Sequence, residues 1–370
     1  VIFPLPSWKI TVPFAVVSSS SGPAASERTM AVKRSRGPSR TTPGRQGGMA
    51  LLVVLLILSV MVIIASNMSG RLQLELRRTS NLTAGKQAWW YAMSAEALVI
   101  KVLNQDFKDD PDVVNLGQNW ARQDAVFPVD DGTLSGRVRD LQSCFNLNSL
   151  SLALKEGESG DDLEAQPYQF KAFRALLEAL EVDEYETVQL TDAIRDWTDK
   201  DTQLVSSNGA EDAYYEGLNP PYLVANQWLL GTDELRAVRG VSSELYARLA
   251  PYVCTLPNDK LVVNINTIKP EQAALLVGLY QGKIGLDDAK QVLTNRPKKG
   301  WKEKKEMTDE LPVQPGSITG LDAALDIKSN FFEARLLAEV GDVRARLETV
   351  FQRGKDNKLV MLRRLNDGAE

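Results

Sequence analysis

The chain has no histidine among its 370 residues. Imidazole is the usual general base of hydrolytic triads and a frequent metal ligand, so its absence excludes His-based triads and histidine metal sites. Cysteine is almost absent too, since Cys144 and Cys254 are the only two and are too few for a four-thiolate zinc site. We therefore expect a non-catalytic protein, whose cysteines form either one disulfide or two buried free thiols.

Basic residues are scarce between residues 181 and 234. This acidic tract holds thirteen Asp and Glu side chains against Arg195 and Lys200, a net charge of −11 within a chain of net charge −5. A nucleic-acid-binding surface needs clustered positive charge, so the tract argues against DNA or RNA as a partner. The opposite pattern occurs at residues 30–48, which carry five bases and no acid.

A long apolar segment follows that basic stretch. Residues 49–65 contain Ser59 as their only polar side chain, and a helix of this length covers about 25 Å, close to the roughly 30 Å hydrocarbon core of a bilayer. The positive-inside rule then predicts a single-pass protein whose residues after Ser66 lie outside the cytoplasm. The segment can be interpreted as a cleaved secretory signal peptide, an uncleaved anchor or a prepilin-type signal.

The residues that flank the apolar segment favour the prepilin-type signal. A secretory signal peptide is cut after its apolar run, and residues 65–67 (Ala-Ser-Asn) form a poor small-x-small site. In contrast, residues 45–48 (Arg-Gln-Gly-Gly) end a basic leader in glycine directly before the apolar run. This order resembles a type IV prepilin signal, which a dedicated peptidase cuts after Gly48. Met49 would then be the mature amino terminus, and the anchor would be retained.

The segment from residue 71 to 103 predicts a long helix. It contains no proline and is rich in Leu, Ala, Gln, Arg and Glu, so a helix from Met49 to Leu103 would be about 80 Å long. Its outer half can bury one face against a globular domain. One stripe of residues recurs at three- and four-residue spacing: Leu72, Leu76, Thr79, Thr83, Gln87, Trp90, Ser94 and Ala97.

Three short motifs resemble the minor pseudopilin K family of bacterial type II secretion. Residues 87–92 read QAWWYA and are followed by Glu96, similar to the family's Q-A-x-x-Y-A segment and its glutamate. Residues 144–148 (CFNLN) and 295–301 (Asn-Arg-Pro to Gly-Trp) are also similar to the family. Most pilins carry a glutamate at mature position 5, where this chain has Val53. The resemblance implies a subunit at the filament tip, with no neighbour above it for such a carboxylate to pair with.

The remaining sequence predicts an α+β fold. Alternating residues predict strands at 132–141, 331–340, 345–352 and 358–365, with hairpin turns at 341–342 and 354–357. Helical patterns lie between them, at 170–180, 187–197, 232–238, 243–249, 269–279 and 287–295. We expect a pilin-like long amino-terminal helix packed on an antiparallel sheet, with a large inserted all-helical domain of SAM-like or helix-hairpin-helix type.

The predicted domain organisation has five parts. They are a leader at 1–48 (of which 1–29 precede Met30 and are read as a start-site artefact), a transmembrane segment at 49–65, the pilin-like helix and first strands at 66–150, the inserted helical domain at 151–325, and the carboxyl-terminal strands at 326–370. Helix-hairpin-helix units bind DNA through backbone amides of a glycine-rich turn. Two pieces of this chain, residues 234–241 and 264–279, resemble such units. Neither has the two close glycines, so a packing module is the favoured interpretation.

A group of carboxylates in the acidic tract is a candidate metal site. Residues 196–201 (DWTDKD) and 211–215 (EDAYY) can converge several oxygens on Ca²⁺, which needs neither histidine nor thiolate. A solvated acidic loop and a carboxylate-pair hydrolase are the alternatives, and no nucleophile or paired-carboxylate signal favours the hydrolase. The family resemblance implies a structural calcium site, and the ligands carried over are Asp199, Asp201, Glu211 and Asp212, with Asp196 as a further candidate.

The resemblance implies a minor pseudopilin at the tip of the type II secretion pseudopilus, which initiates or caps its assembly for export of folded proteins across the outer membrane. Its carboxyl-terminal domain would lie in the periplasm and its anchor in the inner membrane. Implied partners are two other minor pseudopilins in a heterotrimeric tip complex, the major pseudopilin, the prepilin peptidase and the inner-membrane secretion platform, with secreted substrates and the outer-membrane channel as further candidates. A minor pilin of a type IV pilus and a membrane-anchored helix-hairpin-helix DNA-uptake receptor are the alternatives.

Overall fold

The computed structural model describes residues 47–122, 125–152, 166–354 and 357–369. The predicted leader up to residue 46, including the start-site interpretation of residues 1–29, lies outside the described residues. The chain divides into two compact units, residues 1–69 and 70–370, which are considered separately.

The described part of the first unit is helical and apolar. Helix α1 spans Gly47–Asp109, so it extends six residues beyond the predicted end at Leu103. It contains an 18-residue window of mean hydropathy 3.1, none of which is buried. The Ser59 hydroxyl donates to the backbone oxygen of Leu56 at 2.8 Å, which satisfies the one polar side chain of the predicted membrane segment within the helix itself. The length and composition of α1 suit a membrane anchor.

The strands described in the second unit are β1 Ala125–Val129, β2 Gly132–Asp140, β3 Phe145–Asn146, β4 Val253–Cys254, β5 Val263–Asn264, β6 Leu325–Asp326, β7 Phe331–Val340, β8 Val343–Arg353 and β9 Leu359–Ala369. Five of them form an antiparallel sheet with the order β1-β2-β7-β8-β9. The pairs β3-β4 and β5-β6 are short and parallel.

The sequence prediction missed β1 and found the other long strands. Pro128 lies inside β1, and proline argues against a strand because it cannot donate to the ladder. An edge strand tolerates this loss, and β1 is an edge strand. The predicted turn between β7 and β8 is present, since Val340 pairs with Val343 across Gly341, whose φ of +57° suits glycine.

Helix α1 packs on the sheet through buried alanines and larger apolar side chains. Ala88, Ala92 and Ala95 belong to the same core cluster as Ala334 and Ala338 on β7. The Phe107 ring centroid lies 5.5 Å from that of Phe332 on the same strand. The stripe predicted from spacing therefore does not form this contact. Trp90, two residues from both Ala88 and Ala92, lies on the opposite side of the helix and is 67% exposed.

Glu96 connects α1 to strands β8 and β9 of the sheet. Its carboxylate is buried and accepts hydrogen bonds from the Thr349 hydroxyl at 2.6 Å and from Nε of Arg364 on β9 at 2.9 Å. A buried carboxylate needs such charge-assisted partners. The glutamate that carried part of the family resemblance therefore has a structural role in holding the helix on the sheet.

Short helices occupy the region between β2 and β7. Most predicted helices are present, but Thr232–Ala237 is a 3₁₀ helix and the segment from residue 269 begins with the 3₁₀ turn Pro270–Gln272. Helices of four or five residues were missed because they are too short to show a period. The α-helices are α2 Tyr168–Ala179, α3 Glu184–Thr198, α4 Asp212–Tyr215, α5 Ser243–Leu249, α6 Ala273–Leu279, α7 Leu286–Asn295, α8 Lys304–Thr308 and α9 Leu321–Ala324.

These elements confirm the α+β class and the long amino-terminal helix on an antiparallel sheet. Helices α2 and α6 form a close contact in the core of the helical region, because Gly278 leaves room where a Cβ would lie 2.7 Å from Cβ of Leu176. Cys144 and Cys254 form a disulfide with a Cα–Cα distance of 5.8 Å across 110 residues of sequence, beside the β3-β4 pair.

Asparagine side chains hold loops together at two of the motifs, through Asn148 within residues 144–148 and through Asn266, which binds Trp301 of residues 295–301. The side chain of Asn148 donates to the backbone oxygens of Leu229 and Leu256 and accepts from the Leu229 amide at 2.8 Å. Asn266 exchanges two hydrogen bonds with the backbone of Trp301. Amide side chains are suited to this task because each offers a donor and an acceptor to unpaired backbone groups.

A buried polar network joins the sheet to the helical region. Asp140, at the end of β2, is 2% exposed and accepts from the hydroxyls of Ser329 and Thr267 at 2.6 Å each and from the Gln142 amide at 2.8 Å. The side chain of Asn264 donates to the Ser329 hydroxyl at 2.7 Å. Burial raises the pKa of Asp140 to about 6, although these hydrogen bonds oppose the shift.

Candidate metal centre

Helix α3 positions the acidic residues. The Asp183 side chain caps its amino terminus by accepting from the Tyr185 amide at 2.9 Å, and one face of the helix is buried in the main core. The helix ends at Thr198, and the Asp199 amide still donates to the Arg195 oxygen at 2.9 Å. Asp199 is therefore held at the point where the chain leaves the helix and enters a loop that returns at Glu211.

Three carboxylates meet where this loop closes. Asp199, Asp201 and Glu211 each place one oxygen within 4.8 Å of the other two. Asp199 is 8% exposed and Glu211 is 6% exposed, whereas Asp201 faces solvent. Within the described ranges, Oδ1 of Asp199 and both oxygens of Glu211 have no hydrogen-bond partner. Buried carboxylate oxygens without donors are costly, so a cation would satisfy groups that the protein leaves unpaired.

The electrostatics of the cluster also favour binding of a cation. Burial, followed by repulsion from Asp201 and Asp196, raises the pKa of Asp199 to about 7. Burial and the neighbouring carboxylates likewise raise the pKa of Glu211 to about 7. Carboxyl groups with such pKa values stay partly protonated near neutral pH, and a bound cation would favour their ionised form.

The donor set of the cluster fits Ca²⁺. It offers carboxylate oxygens only, and hard ions such as Ca²⁺ prefer oxygen ligands. When bound, the ion would offset two of the three negative charges and join the end of α3 to the start of α4. Asp199, Asp201 and Glu211 are the residues that would hold it. The calcium assignment stays a prediction.

Two of the candidate ligands have other partners. Asp212, the first residue of α4, accepts from the Val224 amide at 3.1 Å through Oδ1. Asp196 is fully buried, and its two oxygens accept from the amides of Val205 at 3.0 Å and Ala210 at 2.8 Å. Among the described residues, the group that can share an ion therefore contains neither of them.

Sequence reasoning missed the residues that hold the loop from outside. The Ser206 hydroxyl donates to Asp192 at 2.6 Å, and Asp192 also pairs with Arg174 at 3.0 Å. Arg239 donates to the backbone oxygen of Gly209 at 2.9 Å. These partners lie on other elements and share no local motif with the acidic residues, so spacing along the chain could not reveal them.

Aromatic side chains pack beside the carboxylates. Trp197 on α3 contacts Tyr215 on α4 edge to face, with ring centroids 5.1 Å apart. Tyr215 in turn packs against Tyr222 at 5.3 Å and Tyr214 at 5.2 Å. This cluster fixes α4 against α3, because edge-to-face pairs of buried rings are directional. The position of Glu211, which immediately precedes α4, follows from it.

Comparison with known proteins identifies the family. Residues 143–258 and 263–328 match two family models described as type II secretion system (T2SS), protein K. The type II secretion system protein K of Aeromonas hydrophila is 83% identical over 326 residues, covering 88% of this chain and 98% of that protein. The Klebsiella pneumoniae protein K is 38% identical over 310 residues, covering 84% and 93%.

A solved structure agrees with these relatives. The chain matches one component of the crystal structure of the GspK-GspI-GspJ complex from the enterotoxigenic Escherichia coli type 2 secretion system. The TM-score is 0.69 at 28% sequence identity, and the match covers 78% of this chain and 99% of that one. The chain therefore belongs to the type II secretion system protein K family, which confirms the resemblance to minor pseudopilin K drawn from its motifs.

Proposed function

We propose that the chain is the minor pseudopilin at the tip of the type II secretion pseudopilus, where it initiates or caps assembly with two other minor pseudopilins. The apolar start of α1 anchors it in the inner membrane, and the second unit lies in the periplasm. The related E. coli component crystallised in complex with GspI and GspJ, which supports partners of that kind. The major pseudopilin, the prepilin peptidase and the secretion platform contact the anchor region during maturation and assembly.

The exposed face of α1 is the observation that carries this proposal. Leu72, Leu76 and Trp90 are 61%, 60% and 67% exposed and belong to the stripe that recurs every three or four residues. Such spacing is the pattern by which one helix packs knobs into the holes of another. The stripe lies opposite the alanines that contact the sheet, so it is free to receive the helices of neighbouring subunits.

The anchor supports the tip position. In the described chain, residues 49–65 carry no carboxylate, and Val53 stands where most pilins have a glutamate. A buried carboxylate in hydrocarbon needs a partner, and a tip subunit has no neighbour above it to provide one. The helical region between β2 and β7 places additional bulk on the subunit, which suits a position that no further subunit covers. Secreted proteins and the outer-membrane channel are the partners that this exposed region would meet.

We also propose that Ca²⁺ is a structural ion of this subunit. Its ligands are Asp199, Asp201 and Glu211, whose unpaired buried oxygens support the assignment. By joining the end of α3 to the start of α4, the ion stabilises the loop and the aromatic cluster beside it. Calcium thus contributes to the shape of the helical region and takes no part in a reaction.

Maturation provides the first test. Co-expression with a prepilin peptidase is expected to cut the chain after Gly48 and leave Met49 as the amino terminus, as measured by intact mass and amino-terminal sequencing. The Gly48→Val variant serves as the control and is expected to stay uncut, because the peptidase requires a small residue there. A chain that is uncut, or cut near Ala65, would remove the pseudopilin mechanism and favour an anchored receptor.

Loss of Trp90 is expected to weaken the tip complex. A Trp90→Ala change should lower affinity for the partner subunits by about 10- to 100-fold, as expected for an aromatic anchor at an interface. The fold should be unaffected because the side chain is 67% exposed. Affinity is measured by titrating the processed full-length chain, in detergent, with the other two minor pseudopilins.

A second exposed tryptophan provides the control for Trp90→Ala. Trp228 is 38% exposed and lies outside α1, so Trp228→Ala removes an aromatic surface residue without touching the stripe. Equal affinities for Trp90→Ala and the unmodified chain would contradict the proposed helix interface.

Deletion of the gene separates the remaining alternatives, since loss of enzyme secretion supports the proposal, whereas loss of twitching indicates a type IV pilus.

A further inference from the structure

Asp196 has different surroundings from the three carboxylates of the candidate metal centre. It is 0% exposed, and each of its oxygens accepts a backbone hydrogen bond from the loop that joins Asp199 to Glu211. The donors are the amides of Val205 and Ala210, at 3.0 and 2.8 Å. One carboxylate therefore holds the loop at two points.

The loop is shaped to receive that carboxylate. A Cβ placed on Gly209 would lie only 2.0 Å from Oδ2 of Asp196, so any side chain at this position would force the carboxylate to move. Arg239 holds the same residue from the other side by donating to its backbone oxygen at 2.9 Å. The Ser206 hydroxyl attaches the loop at a further point, by donating to Asp192 at 2.6 Å. The protein's own groups thus define the path of the loop.

We propose that Asp196 is a positioning residue that holds the loop in its ion-binding shape, so that Glu211 lies beside Asp199 and Asp201 before any ion arrives. This inference rests on the proposed calcium site and assigns Asp196 a role distinct from that of a ligand. The unpaired oxygens of Glu211 and Asp199, each more than nine-tenths buried, mark where the ion binds. The two hydrogen bonds of Asp196 act on that position through the backbone of the loop, without placing an Asp196 oxygen on the ion.

The physical reason is the entropy of closing the loop. If the loop were free, ion binding would have to supply the ordering of its backbone, and the affinity would fall accordingly. Asparagine in place of Asp196 would turn a donor toward one of the two amides and lose that hydrogen bond. We therefore expect Asp196→Asn to weaken ion binding by about 10- to 100-fold while the ligands themselves stay unchanged.

Terbium provides a probe that separates a ligand from a positioning residue. Tb³⁺ bound to the full-length chain in detergent is excited through the nearby aromatic side chains, and its luminescence lifetimes in H₂O and D₂O count the water molecules on the ion. Displacement by Ca²⁺ gives the affinity. Asp199→Ala, which removes a ligand oxygen, is expected to add about one water. Asp196→Asn is expected to weaken binding with the water count of the unmodified chain.

Gly209→Ala provides an independent route to the same state. Its Cβ would displace the Asp196 carboxylate without altering any acidic side chain, so it should reproduce the Asp196→Asn result. An added water in Asp196→Asn would make Asp196 a ligand and overturn the proposal. Unchanged affinity in both variants would overturn it as well.

Hydrogen exchange of the metal-free chain tests the proposal without any variant. The amides of Val205 and Ala210 are expected to be protected in the presence of a chelator, because their acceptor belongs to the protein. Rapid exchange of both amides would overturn the pre-formed loop. Failure of the calcium site itself has a different signature, since the amides would then be protected while the unmodified chain shows no Ca²⁺-displaceable terbium signal.

Discussion

Replacing Glu211 by glutamine is expected to lower the calcium affinity of the chain by about 100-fold or more, because a buried anionic ligand is lost. Both oxygens of Glu211 lack hydrogen-bond partners among the described residues, and the side chain is 6% exposed. The affinity is measured by calorimetric titration of the full-length chain in detergent. Glu216→Gln is the matched control, since Glu216 follows in the same segment but is exposed. Equal affinities for Glu211→Gln and the control would remove Glu211 from the site.

The same substitution is expected to have the opposite effect on the metal-free protein. Burial and neighbouring carboxylates raise the pKa of Glu211 to about 7, so ionisation above that pH destabilises the folded state relative to the unfolded one. Glutamine carries no charge and removes this cost. At pH 8 with a chelator, Glu211→Gln should therefore unfold at a higher temperature than the unmodified chain. With excess Ca²⁺ the order should reverse, and a variant that is less stable under both conditions would contradict the electrostatic explanation.

Replacing Asp140 by alanine is expected to lower the free energy of unfolding by about 3–5 kcal/mol, the range for breaking a buried polar network. The change leaves the hydroxyls of Ser329 and Thr267 and the Gln142 amide without their buried acceptor. It also loosens the junction between the sheet and the helical region. Stability is measured by urea unfolding of the full-length chain in detergent, followed by tryptophan fluorescence. Asp342→Ala, in the exposed β7-β8 turn, controls for loss of an aspartate and is expected to be nearly neutral.

The pH dependence of stability tests whether the charge of Asp140, as distinct from the shape of its side chain, affects the folded state. Asp140 has a pKa of about 6 in the folded protein against 3.8 for the ordinary carboxyl, so between these values the folded state binds a proton that the unfolded state releases. The unmodified chain should therefore gain stability relative to Asp140→Asn as the pH falls from 7 to 4, by roughly 2 kcal/mol over the whole interval. The comparison is made with a chelator present, so that the metal centre is equally empty in both proteins. A stability difference that is constant with pH would show that the Asp140 charge is not the source.

Much of the sheet could be predicted because its long strands are local patterns. Residues 334–340 alternate between buried and more exposed positions, and the Gly341 turn separates them from the next strand. In contrast, β1 was missed because Pro128 makes an edge strand look unlike a strand. The spacing of Trp90 indicated a helix correctly, but spacing alone could not show which face packs on the sheet. Alanines, together with Leu103 and Phe107, line that face, whereas Trp90 lies opposite and is exposed.

The acidic cluster shows the same division. The family resemblance implied Asp199, Asp201 and Glu211 as candidate ligands, and the structure places one oxygen of each within 4.8 Å of the other two. The same motif also included Asp196, which lies on α3 three residues before Asp199. Its distinct surroundings depend on the return path of the loop, which positions the amides of Val205 and Ala210 around it. No pattern in the local sequence encodes that path.

The sequence by itself determined the apolar anchor, the long helix, the main strands and the family, because each depends on residue identity or on a period along one segment. Only the tertiary structure decided between one disulfide and two free thiols, since Cys144 and Cys254 are 110 residues apart. It also decided which face of α1 packs on the sheet and which carboxylates lie close enough together to bind one ion. These properties depend on distances between segments far apart in the chain, and such distances follow from the packing of the whole unit, to which a local pattern contributes only one part.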